Sequence, residues 1–286
     1  MKKILVPFDF SSAAQEAYKF ALNIAAASSG EVMVLKVTEL PVIYGNGMPG
    51  QPYAYVDPVS YLDQSTKESG RKFEEMKHSF GKPKVPVFFS VEPGDVADTI
   101  LRMIKEKEID LVVMGTSGTT GINEFFVGSN TEKIVRISPV PVFAVHKAHP
   151  LFHIKKILFP TNFDLNQSEL IGKIKALQSF FKAKLYPLYV LTPSSHFSEK
   201  EAMTNLENYA KFYSLQDYEL NIQIQDDERK GILTFASGLK HAIIAMATHG
   251  HKGITHLLMG SVAEDVVNHA QEEVWTYVSG HDSDRV

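Results

Sequence analysis

The sequence contains no cysteine, which excludes disulfide bonds and thiolate chemistry but assigns no compartment by itself. It has no excess of positive charge. Twenty-nine lysines and arginines face 33 acidic residues, a net charge of −4, so there is no electrostatic footprint for nucleic acid. No apolar run approaches the ~18 residues that a membrane helix needs. The opening Met1-Lys-Lys-Ile-Leu-Val6 starts like a secretion signal, but Pro7 and Asp9 break the apolar run, so a cytoplasmic protein is expected. Several catalytic signatures are also missing. There is no Walker A lysine motif, no G-x-G-x-x-G at the start of the first helix and no G-x-S-x-G elbow. These gaps disfavour a P-loop NTPase, a Rossmann dehydrogenase and an α/β-hydrolase.

The composition that remains is that of a soluble globular protein, 44% hydrophobic and 22% charged, and 286 residues suggest two domains. One stretch organises the reading. Ile109-Asp-Leu-Val-Val113 is a short β-branched run that reads as a buried strand. It leads into Met114-Gly-Thr-Ser-Gly118, and a second Gly128-Ser129 pair precedes a helix over Asn130–Arg136. Glycines allow a backbone to approach a ligand closely, and the free N–H groups of a helix N-terminus favour phosphate. A Ser or Asn there either caps the helix or meets a phosphate oxygen. The competing reading is a well-capped loop with no ligand.

In chain order, Lys3–Asp9 reads as a strand, Ala13–Ala27 as a helix and Glu31–Val37 as a second strand, a right-handed βαβ unit. Asp9 falls where open α/β sheets bind ligands, outside the carboxyl ends of strands, although an ordinary turn residue would stand there too. Thr38 to Tyr61 is punctuated by Pro and Gly and carries four tyrosines, so it reads either as a lid over a ligand or as a surface excursion. A polar helix (Leu62–Phe80), a strand (Val85–Val91), a helix (Val96–Lys107), the strand at Ile109 and a last strand (Val140–Val145) complete about 147 residues. Lys155–Phe163 then repeats Lys2–Phe10 at an offset of 153, and Thr248–Ser261 repeats Thr116–Ser129 at an offset of 132. This is a tandem duplication with a linker near Lys147–Leu151. The second copy is 21 residues shorter between these landmarks, most of it expected opposite the aromatic loop. The two domains are placed at 1–147 and 152–280. The fold class is α/β, two tandem doubly wound domains, each a five-stranded parallel sheet flanked by helices.

The spacing Gly115-x2-Gly118-x9-Gly128-Ser129 resembles the signature of the ATP-binding branch of the universal stress protein family, and both halves of the chain resemble that UspA-like, adenine nucleotide alpha hydrolase-like fold. The resemblance implies a nucleotide-binding regulator of the stress response, with ATP as the ligand. Pro7 and Asp9 would line the adenosine region, and the Val37 backbone would meet adenine. Met114 and Gly115 would flank ribose and phosphates, and Gly118, Gly128, Ser129 and Asn130 would contact the phosphates. Mg²⁺ could accompany ATP near Asp9. In the second copy Asn162 replaces the acid, Ala247 replaces the first glycine, Glu273 stands in place of Pro141, and Asp226–Lys230 does not reproduce the Glu92–Asp95 turn. That copy is expected to bind weakly or not at all.

No lysine or arginine lies between Met114 and Thr131. Phosphoryl transfer usually needs cationic charge at the transferring group, so binding rather than enzymatic turnover is expected. The alternatives are a slow ATPase or phosphotransfer enzyme and a ligand-free scaffold. His249, His251 and His256 lack a Cys or acidic partner at metal spacing, and His146, His149 and His153 read as solvated. The terminal strands Val140–Val145 and Val274–Val278 would lie at sheet edges. They could pair within the chain as a pseudo-dimer, and a further homodimer is compatible with the sequence.

Overall fold

The computed structural model describes residues 1–39, 57–116, 128–249 and 257–279. The first half runs β1 (Lys3–Pro7), α1 (Ser12–Ser28), β2 (Glu31–Thr38), α2 (Pro58–Ser79), β3 (Val87–Pro93), α3 (Val96–Lys107), β4 (Leu111–Gly115), α4 (Ser129–Ile137) and β5 (Val142–Val145). The second half runs β6 (Lys156–Pro160), α5 (Ser168–Phe181), β7 (Lys184–Leu191), α6 (Glu199–Phe212), β8 (Asn221–Ile224), α7 (Glu228–Gly238), β9 (Ala242–His249), α8 (Leu257–His269) and β10 (Val274–Ser279).

Within each half the five strands are parallel and doubly wound, in the orders β3-β2-β1-β4-β5 and β10-β9-β6-β7-β8. The halves do not stop at their edges. β5 and β10 pair antiparallel, with Trp275 opposite Phe143 and Val274 opposite Ala144, and all ten strands form one sheet. The terminal strands, apolar edges in the sequence, thus cover one another inside a single chain. Two cores result, one on each face, and each contains residues of both halves. Phe20, Phe143, Phe159, Tyr209 and Trp275 belong to one, and Leu5, Ile100, Val135, Ile244 and Val267 to the other.

The helix starts follow local chemistry. The Ser11 side chain accepts from the Ala14 N–H, Asp95 from Ala97 and Asp98, Asp227 from Lys230, and Ser198 with Glu201 forms a reciprocal capping box. Helix α1 buries alanines and aromatics at helical spacing, among them Ala14, Ala17, Ala21 and Tyr18. Two expectations are corrected. Helix α2 starts at Pro58 rather than Leu62, because Asp57 caps Val59 and Ser60 and proline is well placed at the first helical position. Asp227 caps α7 as Asp95 caps α3, so the charged stretch at Asp226 does rebuild that turn by other residues.

Candidate functional site

The turn after β1 sets the geometry. Phe8 N–H donates to the Leu35 carbonyl at 2.8 Å, the last tie between β1 and β2. The Asp9 carboxylate then accepts from the Ser11 N–H at 2.9 Å, closing an Asx turn. Phe10 takes a left-handed backbone with φ of 69°, which costs a side-chain-bearing residue roughly 1–2 kcal/mol. Its ring packs against Phe8 at 5.2 Å. This sharp turn drives the first turn of α1 against the end of β4. A Cβ added to Gly115 would lie 2.4 Å from the Ala13 carbonyl carbon, so Gly115 is required by packing as well as available to a ligand.

Two backbone edges open beside that turn. β1 ends opposite Leu35, whereas β2 continues to Thr38, held by β3 alone. Residues two apart on a strand present their polar groups to the same side. Val37 therefore turns its backbone N–H and C=O to the side that Leu35 uses for Phe8, past the end of β1. Across the gap, α4 starts from Gly128 with no side-chain cap. The Thr131 N–H turns back to the Gly128 carbonyl at 2.9 Å, and among the described residues the N–H groups of Ser129 and Asn130 meet no partner, which leaves them to solvent or a ligand. Gly128 has an ordinary φ of −60°, and nothing lies within 4 Å of the place a Cβ would take. Neither backbone conformation nor packing among the described residues calls for glycine there. Thr131 Oγ1 donates to the Gly115 carbonyl at 2.9 Å and locks the helix start onto β4.

Of the nine sequence-predicted residues, Pro7, Asp9, Val37, Met114, Gly115, Gly128 and Asn130 line one cavity of about 160 Å³. Ser129 is the first residue of α4. Gly118 and most of the aromatic stretch of 38–61 fall outside the described residues, as do His251 and His256. Sequence reasoning missed several wall residues, among them Lys36 and Val96. Lys36 brings a positive charge to a site whose glycine-rich stretch has none. The overrun of β2 past β1 places it there, and strand periodicity alone did not reveal that. Among the described residues Asp9 is the one acid on the wall, and no three His, Cys, Asp or Glu cluster to hold a metal ion.

The second half rebuilds the turn but not the wall. Thr161 N–H donates to the Leu188 carbonyl, Asn162 Oδ1 accepts from Asp164 N–H at 3.2 Å, and Phe163 has φ of 67°. Helix α5, however, starts at Ser168, three residues later than the position matching Ser12. Asn166, which corresponds to Ala13, precedes the helix, and the methyl of Ala247 is accommodated. At the seam, Arg136 pairs with Glu264 at 2.8 Å and Thr248 Oγ1 donates to the Val135 carbonyl. Among the linker histidines read as solvated, His149 keeps a half-exposed side chain and also gains a partner. Its backbone N–H donates to Glu273 Oε1 and its Nδ1 lies 3.0 Å from the same oxygen, although Glu273 is only 2% exposed. The linker is also tied to α1, where Glu16 accepts from the Ala148 N–H. Burial would raise the Glu16 carboxyl, but hydrogen bonds from Lys19 and Ala148 and the charge of Lys147 hold it below the usual carboxylate value.

The universal stress protein family profile matches residues 1–146 and 153–277. The chain is 30% identical over 146 residues to universal stress protein MJ0531 of Methanocaldococcus jannaschii, a match covering 51% of this chain and 82% of that protein. It is 21% identical over 301 aligned positions to universal stress protein Slr1230 of Synechocystis, covering 97% of this chain and all of that one. A universal stress protein from Archaeoglobus fulgidus superposes with a TM-score of 0.74 at 18% identity, over 97% of this chain and 98% of the other, a likeness of fold. With a family match in each half, and with Gly115 and Gly128 of the glycine signature on the wall of the first half's cavity, the chain belongs to the universal stress protein family as a tandem member.

Proposed function

We propose that the first half binds ATP and that the chain acts as a cytoplasmic, nucleotide-dependent regulator in the stress response rather than as a committed enzyme. One observation carries the reading. The free backbone edge at Val37 and the uncapped start of α4 at Gly128 face a single cavity. An edge of alternating donor and acceptor suits a base, and helix N–H groups suit phosphate. Lys36 adds a cation, and Asp9 would stand near a magnesium ion brought by the nucleotide. The chemistry for transfer is thin. Among the described residues Asp9 is the only acid on this wall, and none of those on it is a histidine. The second half, with Ala247 and Asn162, is expected to stay empty of nucleotide.

Denaturing the freshly purified chain and separating the released nucleotide by chromatography tests this. About one ATP or ADP per chain is expected, and Gly128→Val, which adds bulk at the start of α4, should release none. No nucleotide, followed by no heat on titration with Mg-ATP, would sink the reading.

A further inference from the structure

A cavity of about 650 Å³ opens at the seam, at the amino ends of β6 and β9, where the linker arrives from β5. Part of its wall is the turn from α7 into β9, which departs from its counterpart in the first half. At the offset of 132 the counterpart is Glu108-Ile-Asp110, and here it reads Lys240-His-Ala242. In the first half Ile109 is buried, and the Asp110 carboxylate accepts from the N–H groups of Lys2 and Lys3 at 2.7 and 3.0 Å. Ala242 has no carboxylate to offer. The matching donors, the N–H groups of Lys155 and Lys156, turn to the His241 carbonyl instead, at 2.9 and 3.2 Å. His241 meets them in a left-handed backbone with φ of 65°. Two hydrogen bonds thus hold a strained residue that is exposed on the cavity wall, and strain of this kind gathers at functional sites.

The charge of the turn has changed with it. Two carboxylates have left, and an ammonium and an imidazole have entered. The His241 ring stands 5.6 Å from that of His153, which the linker brings. Lys240 has no ion pair or hydrogen bond among the described residues. Lys147 adds a second ammonium, although its charge also acts on Glu16, and Ser237 and Gln271 add a hydroxyl and an amide. The acids on the wall, among the described residues, are Glu272 and Glu273. Glu273 is buried and already accepts from the His149 N–H, so Glu272 stands against two lysines. Clefts of this size at domain interfaces suit small molecules. A wall rich in donors suits an anion, and lysine meets phosphate as a point charge. Among the described residues no arginine lines the cavity to clasp a planar carboxylate.

The geometry points to a second binding site at the seam, one that takes a small phosphate-bearing molecule against Lys240, His241 and His153. It shares no residue with the cavity of the first half and does not depend on what that cavity binds. A ligand seated here touches the linker and the second half at once.

Pyrophosphate is the probe, titrated into the full chain at constant pH with the histidine rings labelled for NMR. The ring signals of His153 and His241 should shift saturably, and sodium chloride at matched ionic strength should not move them. The readout is local, so pyrophosphate held only by the first half would leave both rings unmoved. Lys240→Glu restores the charge of Glu108 on an exposed side chain and should weaken binding at least tenfold. Lys105→Glu, the same charge change on the exposed face of α3, should leave it unaltered. His241→Gly removes the ring while suiting the left-handed backbone, and should weaken binding about fivefold. If His241→Gly does not fold, Lys240→Glu still decides. No saturable shift at the two rings, an equal response to chloride, undiminished affinity in folded Lys240→Glu, or an equal loss in Lys105→Glu would each overturn the assignment.

Discussion

In the first half the chain leaves β1 through Asp9 and enters α1 at once, so that Ala13 rests on Gly115. In the second half the same Asx turn at Asn162 and the same left-handed phenylalanine are followed by three further residues before α5 begins. The later helix start and the alanine at 247 belong together. Where the helix begins early, the strand must end in glycine, and where it begins late, a methyl fits. Glycine at 115 therefore reports on helix position as much as on ligand. A further difference between the halves lies in the cavity walls, where Lys36, Val96 and Asn130 are replaced by Tyr189, Glu228 and Val262.

The sharpest way to break this comparison is Gly115→Ala. The added methyl meets main-chain atoms of Ala13, which cannot swing aside, so the loss should reach about 3 kcal/mol on the scale of overpacked cores. The reverse change, Ala247→Gly, should cost about 1 kcal/mol. Equal denaturation midpoints for the two variants would undo the link between helix start and strand end. Glu273→Ala comes next. It leaves the His149 N–H without its acceptor and opens a gap at the seam, for an expected loss of about 2 kcal/mol. Trp275, the single tryptophan and buried in β10 beside the seam, should show it as a red shift of fluorescence.

Val96→Glu moves the second half's carboxylate into the first. It should lower ATP affinity about tenfold by calorimetry, with the loss shrinking as salt is raised. An unchanged affinity would mean that Val96 does not face the ligand. The smallest effect is expected from Asp9→Asn, since Asn162 already closes the same turn with an amide. Stability should stay within about 0.5 kcal/mol by urea denaturation. A larger drop would show that the carboxylate does more for the fold than accept from Ser11.

Much of this was legible in the sequence for a specific reason. The apolar runs at Ile4, Val32, Leu111 and Val142 are short, β-branched and bounded by turn residues, and their repetition at 153 and 132 residues fixes two similar units. Gly115, Gly128 and Asn130 were findable because their spacing is local. What escaped depends on distance. That Lys36 lies on the cavity wall follows from β2 outrunning β1, a matter of register between strands. Glu273 looked like a lost proline, because its partner His149 lies 124 residues away in the linker. The turn at Asp227 was missed because a cap needs one side chain in the right place and not the preceding Pro-Gly pair.

The antiparallel pairing of β5 with β10 has a kinetic consequence. Each half presents the same kind of apolar terminal strand, so two halves on separate chains would have to meet by diffusion and would part on dilution. Here a linker of some ten residues, from His146 to Lys155, joins the strand that ends the first half to the strand that opens the second. A tether that short holds the partners at an effective concentration on the order of millimolar. Closure of the seam thus does not depend on protein concentration. Because β5 and β10 are about 130 positions apart in the chain, their pairing should be a late event in folding, after each half has formed its own parallel sheet.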